Sequence, residues 1–169
     1  AQTCLKQEGL ASLQIIFNIF RQKPITELFD EAKTKGVSLI VRLPLASGLL
    51  GGKLNPNVSF PENDHRLFNS DGQCFNVGET FAGIPFTIGL DIVEELKKMI
   101  PEGMTLAQMS LRWILDFDAV TVVIPGSKSP LQIPDNASAT HLPSLPKSLH
   151  DKLSSFYNEE IAQHIRGKY

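Results

Sequence analysis

The chain has 169 residues, 42% of them hydrophobic and 20% charged, with a formal net charge of −2. That length can bury a sizeable core, and the balance excludes both a disordered tail and a basic nucleic-acid binder. Cys4 and Cys74 stand apart, with no Cys/His cluster at ligand spacing, so no metal site or disulfide framework is expected, and a reducing, cytoplasmic setting is the default.

The opening AQTCLKQEGL lacks the basic and apolar regions of a signal peptide, and no apolar run approaches the ~18 residues of a membrane span. A soluble protein with no membrane partner is expected. Residues 12–18, SLQIIFN, form an apolar run that predicts a strand. Pro24 then suits a first helical turn, Ile25, Leu28, Phe29 and Ala32 recur at helical spacing, and Gly36 suits a left-handed cap. Residues 37–43, VSLIVRL, read as a second strand. Strand, helix and strand again predict a parallel α/β sheet covered by helices.

Residues 52–84 break the rhythm with prolines, asparagines and glycines, and a loop of that length is usually functional or partly disordered. Helical periodicity returns from Phe86 to Ile100. It restarts at Thr105, which with Gln108 has the form of a capping box and sends Leu106, Met109, Trp113 and Ile114 inward. A third strand is expected at 120–125. Two more helices follow, in PLQIPDNASA and in PKSLHDKLSSFYNEEIAQ.

Chemistry should gather at the carboxyl ends of the strands, where loops vary over a fixed sheet. After the second strand comes PLASGLLGGK, residues 44–53, and after the third comes GSKSP, residues 126–130. Each offers glycine for close approach, free N–H groups and one lysine, which suit a phosphate and equally suit a glycine turn beside a solvated cation. Neither is a Walker A loop, because the Gly48-to-Lys53 spacing is one residue short and Leu54 takes the Ser/Thr place. Ser129, Pro130 and Gln132 also read as a helix start that needs no ligand. Asp64, His65, Arg66 and Glu79 are acid/base candidates that are more readily solvated or structural. His141, His150 and His164 show no partner at useful spacing.

The order of LQIIFNIFRQKP, GVSLIVRLPLASGLLGGK and LRWILDFDAVTVVIPGSKSPLQIPDNASA resembles the C-terminal part of the aldo-keto reductases, which use NADPH to reduce aldehydes and ketones on a (β/α)8 barrel. The resemblance covers nearly all of 1–169 and implies a partial (β/α)8 TIM barrel, its three strands being the sixth, seventh and eighth. The family's catalytic Asp, Tyr, Lys and His would then lie outside this chain, so no catalytic residue is assigned. NADP(H) is the implied cofactor and a small carbonyl compound the substrate of the complete protein. The open barrel edges imply self-association of the chain alone.

By the same resemblance, Gln14 matches the residue that holds the nicotinamide carboxamide, and Arg42 stands where many members place an aromatic ring against the nicotinamide. Pro44, Leu45, Ala46, Ser47, Gly48 and Lys53 match the loop around the ribose and pyrophosphate. Gly126, Ser127 and Lys128 match the 2′-phosphate site, Gln132 and Asn136 the adenine contacts, and Asp135 a position near the ribose. Two departures stand out. Ser129 replaces a common arginine, which would leave Lys128 as the only full charge in its corner, and Pro134 enters the first turns of the last barrel helix, where it removes an N–H and would shift Asn136. A non-catalytic nucleotide-binding or regulatory module, a degenerate reductase or a half-barrel docking on a partner chain, is the alternative.

Overall fold

The computed structural model describes residues 1–167. Three parallel strands, β1 (Ser12–Ile16), β2 (Ser38–Arg42) and β3 (Val120–Val123), form one sheet in sequence order. β1 and β2 pair without interruption from Ser12 opposite Ser38 to Ile16 opposite Arg42. The β2–β3 register shifts between Leu39 and Ile40, and the Thr121 hydroxyl accepts the Leu39 N–H there at 3.2 Å.

Alternation along the strands divides the sheet into two unlike faces. Ile15, Leu39 and Val41 are buried and belong to the core that the helices cover. Ser12, Gln14, Ile16, Ser38, Ile40, Arg42 and Val122 lie on the other face, which no described element covers as a layer. Val122 remains 41% exposed there.

The predicted first helix is two. α1 (Pro24–Glu27) and α2 (Phe29–Thr34) are separated by Leu28, whose φ of −134° breaks the helix. Adjacent residues on a helix point about 100° apart, and the break lets both Leu28 and Phe29 enter the core. Gly36, at φ +65°, ends the unit in the left-handed region as its position implied.

The stretch predicted as a long loop, 52–84, is folded. It contains α3 (His65–Phe68) and two short 3₁₀ turns, Val77–Glu79 and Phe81–Gly83. Asn69, fully buried, holds it together: its amide nitrogen donates to Thr80 Oγ1 at 3.0 Å, and its oxygen accepts from the N–H groups of Cys74 and Phe75. Arg166 fastens it from the far end of the chain, donating to the carbonyls of Gly83 and Ser70 and to Asp71.

α4 (Phe86–Lys97) stops short of the predicted Ile100, since Pro101 has no N–H to give the Lys97 carbonyl, crowds that carbonyl with its ring and disfavours helical backbone at Ile100. α5 (Leu106–Leu115) begins with the expected Thr105–Gln108 capping box, both reciprocal bonds being made. α6 (Gln132–Ser138) starts two residues later than Pro130, and α7 (Lys147–Phe156) runs on through a π-helical turn at Tyr157–Ile161.

His150 does have a partner, contrary to the sequence expectation. On α7, its Nε2 lies 3.0 Å from Asp116 Oδ2, while Arg112 and the Leu145 N–H donate to the same buried carboxylate. Burial opposes ionisation of Asp116, but those donors and the Ser144 hydroxyl together hold its pKa below the usual range.

Candidate functional site at the carboxyl ends of the strands

Two segments leave the carboxyl ends of β2 and β3 and meet the folded 52–84 segment. Asn18, fully buried just beyond β1, anchors the first of them: its side-chain nitrogen donates to the Leu43 carbonyl at 2.9 Å and its oxygen accepts the Phe20 N–H. In the sequence Asn18 is marked only as an asparagine directly after an apolar strand run.

Past Leu43 the backbone turns through the left-handed region at Leu43, Ala46, Ser47 and Gly48, with φ of 51°, 47°, 55° and 99°. Facing it, Phe81, Ala82 and Gly83 do the same. Each such L-residue costs roughly 1–2 kcal/mol and persists only where its surroundings hold it. Here the clasp is Ser47. Its hydroxyl donates to the Glu79 carbonyl at 3.3 Å, accepts the Phe81 N–H at 3.1 Å and lies 3.3 Å from His65 Nε2. Pro44, Ala46, Leu49 and Leu50 are buried beneath the turn, while Leu45 is half-buried and Lys53 is exposed.

Arg42 and Gln14 share the uncovered face of the sheet. Gln14 is exposed and lines a cleft of about 340 Å³ with Arg21, Lys23 and Glu27. Arg42 sits one strand over and roughly 7 Å further toward the carboxyl ends. Its guanidinium takes the Glu79 carboxylate in a bidentate ion pair. Glu79, read from sequence as a solvated residue or an acid/base candidate, is instead the partner of Arg42. That hydrogen-bonded pairing outweighs partial burial and lowers its pKa, with Arg21 and His65 adding to the effect.

Asp64 is the joint of the site. It caps α3 by accepting the Arg66 N–H, pairs bidentately with the Arg66 guanidinium, and lies 3.7 Å from Lys128 Nζ. The Asp64 side chain is 15% exposed, and Arg66, its strongest partner, holds its pKa far below the usual carboxylate range. Lys128 is therefore not the only full charge in its corner. Arg66 also packs over the Phe60 ring at 4.2 Å, and a methyl on Gly48 would meet its Nη1 at 3.7 Å.

Around β3's end the predicted residues are partly brought together. The Asn136 amide donates to the Ser127 hydroxyl at 3.2 Å. Gln132 turns back so that its side-chain oxygen accepts the N–H groups of Lys128 and Ser129, at 2.6 and 3.2 Å. These amides, expected to be free for a phosphate, are thus engaged within the chain. Asp135 faces α5 and accepts from Gln108 at 3.1 Å. Pro134 does not distort the helix: with α6 starting at Gln132 it occupies the first turn, where backbone N–H groups have no helical partner in any case. Gly126 is exposed, and a methyl there would meet nothing within 4 Å. With those two amides occupied by Gln132, this corner keeps an exposed glycine and a solvent-exposed lysine, which fit an anionic nucleotide group. The described residues hold no cluster of ligands for a metal ion and no helix long and apolar enough to cross a membrane.

The chain matches the Aldo/keto reductase family over residues 3–158. An aldo-keto reductase from Strobilurus tenacellus is 30% identical over 137 residues, 79% of this chain and 38% of that protein. L-glyceraldehyde 3-phosphate reductase from Escherichia coli (strain K12) is 31% identical over 112 residues, 66% of this chain and 31% of that protein. Among solved structures, a glycerol dehydrogenase from Gluconobacter oxydans aligns with a TM-score of 0.70 at 19% identity, covering 94% of this chain and 45% of its own. The holo form of an aldo-keto reductase from Bacillus halodurans aligns with a TM-score of 0.61 at 22% identity, covering 91% and 45%. The chain spans less than half the length of these proteins, and its three β/α units are part of their (β/α)8 barrel fold. Because the match runs through all three strands and both loops of the site, the chain belongs to the Aldo/keto reductase family.

Proposed function

We propose that this chain is the cofactor-holding part of an NADPH-dependent aldo-keto reductase that reduces a small carbonyl compound to an alcohol. NADPH, when bound, supplies the hydride. Gln14 and Arg42 would hold and orient the nicotinamide end, Pro44 to Gly48 with Lys53 the ribose and pyrophosphate, and the corner of Gly126, Ser127, Lys128, Gln132, Asp135 and Asn136 the adenosine 2′-phosphate end. The observation that carries this reading is Asp64, which joins the segment leaving β2 to the corner leaving β3 through Arg66 and Lys128.

The proton donor would come from outside this chain. Tyr157, the one tyrosine among the described residues, is buried in the core beyond α7. The test compares the natural full-length polypeptide with the 169-residue chain alone. The former is expected to oxidise NADPH in the presence of an aldehyde, and the latter to stay at the protein-free rate, because a developing alkoxide without a proton donor is not stabilised. Turnover by the short chain, or no NADPH binding by the long one, overturns the proposal. Two free, exposed thiols, Cys4 and Cys74, accord with a cytoplasmic setting.

The same reading implies association of the isolated chain. β1 and β3 each have an outer edge without a strand partner among the described residues, Ile124 is 44% exposed, and at the start of α6 Leu131 and Ile133 are 83% and 61% exposed. Unpaired edges and an apolar face of this kind promote pairing between copies. Light scattering on the purified 169-residue chain is expected to report oligomers. A monodisperse monomer with a cooperative melt contradicts this.

A further inference from the structure

Arg42 closes β2 on the uncovered face of the sheet, and Glu79 takes it end-on, Nη1 to Oε2 and Nη2 to Oε1. End-on pairing uses N–H groups that lie in the guanidinium plane, so this contact leaves both flat faces of the group open for stacking. The pair is neither fully buried nor free, with side chains 32% and 28% exposed. Glu79 is itself fixed by its backbone: its N–H donates to the Asn76 carbonyl at 3.0 Å and its carbonyl accepts the Ser47 hydroxyl.

Resting on the cofactor reading above, we infer that Glu79 is a positioning and charge-balancing residue for the nicotinamide: it holds the Arg42 guanidinium in one plane and cancels its charge beside the ring. The oxidised nicotinamide carries a positive charge and the reduced ring carries none. A lone guanidinium against the ring repels the oxidised form and leaves the reduced form nearly untouched, whereas a neutral ion pair treats both alike. Glu79 therefore sets the balance between the two redox forms of the bound cofactor, through Arg42 and without touching the ring.

The test is direct titration of NADP⁺ and NADPH into the natural full-length polypeptide and its variants, read by fluorescence or calorimetry rather than by turnover. In Glu79→Gln, the Kd for NADP⁺ is expected to rise about 10-fold more than that for NADPH, for a half-exposed charge near the protein surface. That ratio corresponds to an upward shift of about 30 mV in the potential of the bound two-electron couple. The double variant Arg42→Met/Glu79→Gln moves the ratio back toward its wild-type value, because the Arg42 and Glu79 charges are both gone while Arg21 and His65, which also act on Glu79, are unchanged. Equal weakening of both cofactors in Glu79→Gln, the result of a merely structural role, overturns the inference. Should that variant fail to fold, Arg42→Met decides: with Glu79 left anionic, the ratio must move the opposite way, toward NADP⁺, and an unmoved ratio overturns the inference as well. Failure of the unaltered protein to bind either cofactor is a different result and removes the cofactor reading itself.

Discussion

Replacing Trp113 by alanine is expected to cost the fold about 3–5 kcal/mol, the usual range for emptying a large buried aromatic site. Trp113 is 1% exposed on α5, with its ring centroid 4.9 Å from Phe17 and 5.0 Å from Phe117. Phe29 meets both of those phenylalanines edge-on, and the His150 ring stacks on the indole at 6.3 Å. One side chain thus ties the segment after β1, α2, α5 and α7 to one another. Its removal opens a hole bounded by rigid rings that cannot all collapse inward, so relaxation recovers little. Against a total stability of about 5–15 kcal/mol for an ordinary domain, the variant should unfold at far lower denaturant. Chemical denaturation of wild type, Trp113→Ala and Trp113→Phe in the natural full-length polypeptide checks this. The phenylalanine variant should retain most of the stability, and a loss below about 1 kcal/mol for alanine would contradict the packing account.

The second large effect concerns cofactor choice. Lys128→Ala is expected to weaken NADPH binding about 10-fold, the low end for a charge-assisted bond to phosphate. NADH, which lacks the 2′-phosphate, should bind almost as before. The low end is appropriate for two reasons. Lys128 is 72% exposed, so solvent screens it, and Asp64 at 3.7 Å already engages its ammonium, so an incoming phosphate competes with a carboxylate. Arg66 does not take over, because its guanidinium is committed to Asp64 and packed over Phe60. Titration of both cofactors into the wild-type and variant polypeptides decides the matter. Equal weakening of NADPH and NADH, or of neither, removes Lys128 from the phosphate site.

The sheet was legible because its information is local. Alternating and continuous apolar runs at 12–18, 37–43 and 120–125, joined by helical periodicity, admit little besides parallel pairing, and the capping box at Thr105 and Gln108 involves residues three apart. The family resemblance, too, rests on the order of contiguous segments. The break at Leu28 was not legible, since helical spacing there is satisfied until two adjacent large side chains compete for one core.

What only the tertiary structure decided are the partners of charged and polar side chains distant in sequence. Arg42 and Glu79 lie 37 residues apart, Ser47 and Phe81 34 apart, and Gly83 and Arg166 83 apart. A solitary Glu, Asp or His in a polar segment carries no period that names its partner, so Glu79, Asp64 and His150 read alike from sequence as solvated groups. The fold separates them by bringing each against a different partner: Arg42 at the end of β2 for Glu79, Arg66 with Lys128 at the joint of two loops for Asp64, and the buried Asp116 carboxylate beneath α7 for His150. Sequence by itself determined which strands exist and where the longer helices lie. The long folded segment, closing over the ends of those strands, determined which of their charges remain available to a ligand.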